Sequence, residues 1–543
     1  RSNLPATAAR PLTLLLGVTA LVLLIVCVNV ANLLLSRGAS RAGEMAIRAS
    51  LGASRAWLVR QLLTESFVLI GIGGVVSLAV AAVIVRVITA LLPAGVALAL
   101  APSLSPAALL FAAGASLVTV VVFGLVPALR VSAANPAFAM RIHAARSSGG
   151  RGAARFRTAL TTAQIAFSMV LLVLAGLFTK SLVNVGRESI GMDVESVVSF
   201  AITPRLNGYD AERVSALYDR VEEALATQPG VLGVGSTWLP VLGAGFARSG
   251  FSVEGFDAEA GADTTAAMNV IGEGFFDAVG VPLLAGREFR DSDTDDAPQV
   301  AIVNESFAHK FGVGRDVGKR LGFGATTRYG VEIVGIVADS KLGSLKRSEN
   351  PIVYLPRRQW AGEVFSMFYY VRAGVNPEVL LGQLPRVVAT IEPEVPVTNL
   401  QAMTTEVNTN VFVDRLLSTL SAGFAVLATL LAGIGLYGVL SYNVTQRTRE
   451  LGMRLALGAA PAGLRLMVLK QVGMMALIGA AIGLAAALAL GRVAESQLFG
   501  LSGHDPVVLA AAAAVLTFVV LAGSWLPARR ASRIAPTEAL RYE

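Results

Sequence analysis

Apolar residues along this chain fall in long runs rather than in stripes. Stretches long enough to cross a bilayer, roughly 20 residues each, run at about 12–35, 66–92, 107–129, 158–180, 416–440, 470–490 and 506–527. Between 181 and 415 the pattern changes: charges recur throughout and no run is long enough to span. Alternating or β-branched stretches at 194–202, 299–304, 331–337 and 365–371 predict strands there. Val214, Leu217, Val221 and Leu225 recur at helical spacing within 210–228, and 376–391 behaves likewise, so both predict amphipathic helices. The pattern predicts a polytopic α-helical membrane protein of about seven spans carrying one water-exposed α+β domain.

Charge then orients the spans. Arg37, Arg41, Arg48, Arg55 and Arg60 share a side with Arg130, Arg141, Arg146, Arg151, Arg155 and Arg157. Arg447, Arg449, Arg454, Arg465, Lys470, Arg529, Arg530, Arg533 and Arg541 fall on it too, and the positive-inside rule makes that side the cytoplasm. The uncharged loop 93–106, the sparse loop 491–506 and the insertion 181–415 then lie outside. An odd number of spans puts Arg1 outside and Glu543 inside, which leads us to expect a further span before Arg1.

Composition agrees with that assignment. With 54% hydrophobic and 15% charged residues among 543, and a mean hydropathy of +0.64, the chain is too apolar for a soluble domain of its length. Its 45 Lys and Arg against 37 Asp and Glu flank apolar runs instead of forming an aromatic-rich patch, which argues against a nucleic-acid partner. The single cysteine, Cys27, permits no intrachain disulfide. Residues 1–11 lack the charged n-region and cleavage site of a signal peptide.

An internal repeat carries the most information. At an offset of 406, Arg41, Glu44, Arg48, Leu51, Gly52 and Ala53 fall on Arg447, Glu450, Arg454, Leu457, Gly458 and Ala459 without a gap. At an offset of 400, Pro127, Ala128, Arg130, Pro136, Ala139 and Arg141 fall on Pro527, Ala528, Arg530, Pro536, Ala539 and Arg541. Residues 12–141 and 416–541 are therefore two parallel copies of one three-span unit. In each copy the cytoplasmic segment places Arg, Glu and Arg at i, i+3 and i+7, one helical face, with a Glu-to-Arg spacing that supports an ion pair. Gly52 and Gly458 mark a left-handed helix end, after which Ser54 as N-cap, or Pro461 at the first helical position, starts a second helix. For one copy alone a solvated, ion-paired surface helix is a sufficient account. Recurrence between the same two spans favours a docking element.

The segments GEMAIRASLGAS at 43–54 and RELGMRLALGAA at 449–460 resemble the FtsX-type permease domain of the MacB family of ABC transporters. The exterior domain is similar to the MacB periplasmic domain through GFFDAVGVPLLAGREF at 274–289, VAIVNESFAHKF at 300–311, GRDVGKRL at 314–321, VEIVGIVADS at 331–340 and VYLP at 353–356. The tandem arrangement resembles the duplicated orphan permeases called ADOP, beside which this chain lacks a first span and a first exterior domain. The resemblance implies permease units at 1–157 and 416–543, a span at 158–180 and a periplasmic MacB-like α+β domain at 181–415, in a bacterial inner membrane. It implies that Arg41, Glu44, Arg48, Leu51 and Gly52, and Arg447, Glu450, Arg454, Leu457 and Gly458, belong to coupling helices. These seat on separate nucleotide-binding subunits, which hold the ATP and Mg; the chain itself binds no cofactor. It further implies mechanotransmission, in which ATP-driven closure moves the exterior domain, and room for a periplasmic adaptor or hydrolase as partner.

Other chemistry finds little footing. Gly314 and Gly318 are too closely spaced for a phosphate loop, and Arg320 stands where a hydroxyl residue is needed. His143, His309 and His504 show no metal-ligand spacing. Asp291, Asp293, Asp295 and Asp296 lack the glycine and closing Glu of an EF-hand and read as a solvated turn. No acidic residue lies near mid-membrane, which disfavours an ion-coupled carrier. Arg86, near the outer end of its span, reads as snorkelling. Asn29, Asn32 and Gln164 read as interhelical glue, with a substrate path as the other reading. The function expected is an ABC permease without its own ATPase, for export or envelope remodelling. The alternative is an FtsX-like regulatory scaffold that activates a periplasmic enzyme and moves no solute.

Overall fold

The computed structural model describes residues 6–40, 48, 51, 54–91, 105–120, 150–187, 190–243, 247–257, 259, 261–324, 329–341, 343, 351–360 and 364–533. Two compact units result: residues 1–183 with 414–543, and residues 184–413. The first opens with four helices, α1 (Ala6–Ser40), α2 (Arg55–Leu91), α3 (Pro106–Val120) and α4 (Gly150–Arg187). Helices α1 and α4 outrun the apolar runs that predicted them, whereas residues 121–129 of the run expected at 107–129 lie outside the described residues. At 38 residues, α4 is about 57 Å long at 1.5 Å per residue. Its charged ends, from Arg151 to Arg157 and from Lys180 to Arg187, continue the helix where hydropathy alone ends it.

The second unit contains β1 (Val197–Ile202), α5 (Ala211–Ala226), β2 (Val231–Thr237), β3 (Ala247–Val253), β4 (Thr265–Ile271), α6 (Phe275–Val279) and β5 (Leu283–Gly286). It continues through β6 (Val300–Asn304), α7 (Glu305–Lys310), β7 (Arg320–Phe323), β8 (Val331–Val337), β9 (Ile352–Pro356), β10 (Met367–Ala373), α8 (Pro377–Ile391), β11 (Thr398–Ala402) and α9 (Met403–Asn410). The four strands at the chain ends of the unit pair in the order β11-β1-β10-β2, antiparallel throughout. With α5 and α8 as crossovers they form a split βαβ lobe. Asp210 caps α5 by accepting from the Arg213 N–H, and Val214, Leu217, Val221 and Leu225 bury the face their spacing predicts. Inserted between β2 and β10, strands β4-β3-β7-β8-β6-β9 close on themselves through the parallel β4–β9 pair. This makes a barrel, joined to the first lobe where Thr237 pairs Ile271.

The chain returns to the first unit with α10 (Phe412–Gln446), α11 (Thr448–Ala456), α12 (Pro461–Ala494) and α13 (Pro506–Ala531). Among the described residues, α1, α4, α10, α12 and α13 carry apolar windows long enough to span, and α2 carries a shorter one, Gly71–Arg86. The window in α4 is 67% buried against 28% for those in α1, α12 and α13, which makes α4 the centre of the bundle. Small residues let α12 approach it. Met475, Gly479, Gly483, Ala487, Gly491 and Ala494 form a buried stripe, and a Cβ on Gly483 would meet the Ala166 carbonyl oxygen at 2.5 Å. Such contact replaces the hydrophobic drive that lipid removes.

Candidate functional site

The second copy of the repeated cytoplasmic segment is described in full. Helix α11 ends in a Schellman motif: Gly458 takes φ +90°, its N–H donates to the Leu455 carbonyl, and the Ala459 N–H donates to that of Arg454. Leu451 and Leu455 turn inward onto Leu464 and Ala531, which fixes the outward face. On that face Arg454 and Glu450 pair at 2.7 Å, each side chain nearly half exposed. An i,i+4 pair so placed contributes about 0.3–0.5 kcal/mol, too little to explain the segment by stability. Arg447 stands at the N-cap of α11 rather than within its turns. A cation at a helix N-terminus opposes the macrodipole, so this position too is poorly explained by the helix alone.

In the first copy, Arg41, Glu44 and Gly52 lie outside the described residues, whereas Arg48 and Leu51 are described. Two equivalences emerge. Arg48 donates to Gln61 Oε1 at 2.9 Å, and its counterpart Arg454 reaches Sδ of Met467, the counterpart of Gln61, at 3.5 Å. Each arginine is therefore folded back on the same position of the helix that follows. Leu51 and Leu457 are 82% and 88% exposed; in both copies a bare leucine sits at the turn where a folded core would have no use for it. Ser54 accepts from the Trp57 N–H at 3.3 Å and Pro461 opens α12, as their positions predict.

The sequence did not reveal a cluster of charges in the exterior unit, where the two lobes meet. Arg357, 3% exposed, follows β9 and reaches Asp219 at 2.6 Å and Glu222 at 2.9 Å, both on α5. Arg358 reaches Asp291 at 2.9 Å and Glu273 at 3.3 Å. Burial, then a hydrogen bond with Asp291, pushes Glu273 up to about 7 against the pull of Arg358. The acidic run is only in part a solvated turn. Asp295 and Asp296 are exposed, but Asp293 is buried, takes both Nη atoms of Arg287 at 2.7 and 2.9 Å, and accepts from the Arg290 N–H. Spacing does not show the partner arginine. Among the described residues no group of three or more His, Cys, Asp or Glu is placed to hold a metal.

A family model for the FtsX-like permease C-terminal region matches twice, at residues 16–136 and 422–536. One for the MacB-like periplasmic core domain matches residues 158–407 between them. The chain is a MacB-type permease of the FtsX-like family. Among curated relatives it is 29% identical over 297 residues to a probable export ATP-binding/permease protein of Pseudomonas fluorescens, covering 51% of this chain and 43% of that one. It is 28% identical to the macrolide export ATP-binding/permease protein MacB of Burkholderia lata, covering 51% and 41%. With the Escherichia coli O157:H7 protein of the same name it shares 26%, covering 52% and 44%. This chain thus spans less than half the length of these relatives. Among solved structures, the periplasmic region of MacB from Actinobacillus actinomycetemcomitans shares 18% identity at a TM-score of 0.28, covering 41% of this chain and 95% of that one. The extracellular domain of the noncanonic ABC-type transporter YknZ from Gram-positive bacteria shares 16% at 0.26, covering 37% and 100%. In this permease the doubled FtsX match falls on the two halves of the internal repeat, and both copies of the cytoplasmic segment lie inside it.

Proposed function

We propose that this permease sits in a bacterial inner membrane and couples ATP hydrolysis in separate nucleotide-binding subunits to movement of its periplasmic domain, for export or envelope remodelling. The observation that carries this reading is the matched pair of bare leucines, Leu51 and Leu457, each beside an arginine tethered to the following helix. An apolar anchor with a charged rim is what a docked partner buries. ATP and Mg belong to the partner; this chain supplies the two seats.

The test is the double reversal Arg48→Glu with Arg454→Glu in the reconstituted complex. It should abolish stimulated ATP hydrolysis and leave membrane insertion at the wild-type level. Locally the second copy loses one exposed pair and gains a like-charge contact, each worth about 0.2–0.5 kcal/mol, which is too little to unfold the bundle. A reversed charge against a complementary surface costs several kcal/mol, on the order of 2–5. Full coupling at matched expression would reduce both faces to solvated helix surface and remove the reading's main support. Stimulated hydrolysis that accompanies activation of an exterior enzyme, with no solute moved, would select the scaffold role instead.

A further inference from the structure

The offset that aligns the coupling segments also aligns Asn29 of α1 with Gly435 of α10. These two equivalent positions touch. A Cβ on Gly435 would lie 2.6 Å from Asn29 Oδ1. Equivalent positions of the two copies therefore face each other here, as they do in an isologous contact. Gln164 of α4 enters the same point, its Oε1 2.7 Å and Nε2 3.2 Å from that Cβ position. Asn29 and Asn32 are each 6% exposed and Gln164 is fully buried.

These amides do not act as glue in this arrangement. Among the described residues, Nδ2 of Asn29, both polar atoms of Asn32 and both of Gln164 have no hydrogen-bond partner. Unpaired polar groups inside a membrane bundle are costly, yet each amide carries a donor and an acceptor and is able to pair with another. Gly435 leaves room for Asn29 and Gln164 to face one another; a side chain there would press on both. The seam lies twelve positions ahead of Arg41 in α1 and twelve ahead of Arg447 in α10, and it includes α4, the helix at the centre of the bundle.

We propose that Asn29 and Gln164 are positioning residues at which the two halves re-register, their amides pairing across the Gly435 gap when the coupling segments move. The seam then relays motion from α1 and α10 to α4. This rests on the ATP-driven reading above, and the experiment separates the two. The first comparison uses the chain alone in lipid nanodiscs, wild type against Asn29→Leu with Gln164→Leu. Removing the orphaned amides should leave the melting temperature unchanged or raise it. It should also slow backbone hydrogen exchange in peptides covering Asn29 and Gly435 at least about threefold, because the second state loses its hydrogen bonds. Gly435→Ala, which keeps every amide and fills the gap, should slow exchange in the same peptides. A melting temperature lower by several degrees, or unchanged exchange in both variants, overturns the relay and leaves static glue. The second comparison adds the ATPase subunits. ATP with Mg should change exchange in the exterior domain of the wild type and change it at least about fivefold less in either variant, with the ATPase still bound. A wild type that does not respond to ATP defeats the ATP-driven reading, while the chain-alone comparison still decides the seam.

Discussion

Two places in this permease, one in each unit, treat buried polarity differently. In the exterior unit a buried charge meets an opposite charge: Arg357 sits between Asp219 and Glu222, and Asp293 takes a two-pronged contact from Arg287. At the seam in the membrane unit the buried polar groups are neutral amides, and among the described residues most of their atoms are unpaired. Paired charge in a protein interior fixes one arrangement, because breaking it exposes each partner's desolvation penalty. Unpaired amides fix none. The difference separates a site held by paired charge from a seam whose amides are mostly unpaired, and rigidity at that seam must come from something other than polar contacts.

Close packing is that source, and it predicts the largest effect. A Cβ on Gly483 would sit 2.5 Å from the Ala166 carbonyl oxygen and 2.7 Å from Met169 Cβ, and one of those neighbours is backbone. Gly483→Val should destabilise the bundle by about 3 kcal/mol or more and remove the monodisperse peak in detergent size-exclusion chromatography. Gly473, with nothing within 4 Å, is the control; Gly473→Val should elute as wild type. Equal behaviour of the two would mean that α12 does not depend on contact with α4. The corresponding break in the exterior unit is Arg357→Leu, which takes the charge partner from buried Glu222 and leaves it the Ser236 hydroxyl. Asp219 is 43% exposed and solvent relieves part of the loss, so about 2 kcal/mol is expected. That corresponds to a fall of about 4–8 °C in the melting temperature of residues 184–413 expressed alone.

Much of this architecture is legible in the sequence because it rests on one-dimensional signals. Apolar runs and the 406-residue offset specify spans and duplication. Helix-breaking chemistry at Gly458 and Pro461 survives because a cap is a local event. What escapes is whatever depends on partners far apart in the chain. Arg357 and Asp219 are 138 positions apart, and nothing near either one hints at the other. The solvated reading of Asp293 fails differently: its partner Arg287 is only six positions away, but the fold of the loop between them, not the spacing, brings the two together. The seam is an intermediate case: Asn29 and Gln164 are visible as polar residues in apolar runs, and the repeat itself registers Gly435 on Asn29. That equivalent positions also touch is a fact of packing, which the alignment of two copies does not contain.

The smallest expected effect tests what burial of Glu273 beside the charge cluster costs once it ionises. Glu273 titrates at about 7, from an ordinary value of 4.5, so between those values the folded domain keeps a proton that the unfolded chain has released. Stability rises with pH where the unfolded state binds more protons and falls where it binds fewer. Glu273 therefore contributes stability that is complete below about pH 4.5 and is lost as pH rises through 7. Asp263 works the other way. Hydrogen bonds from Thr265 and Lys310 hold its carboxyl well below the usual range, so its contribution is present above pH 4 and is lost in stronger acid. The melting temperature of residues 184–413 should then peak near pH 5 and decline gently toward pH 8. Burial also raises Glu222, Glu288 and Glu406, so Glu273→Gln, neutral at every pH and still able to face Arg358 and Asp291, should lessen the decline above pH 5 and leave the acid limb unchanged. A decline as steep as that of the wild type would assign the alkaline loss to those other carboxylates and would leave Glu273 with no part in it.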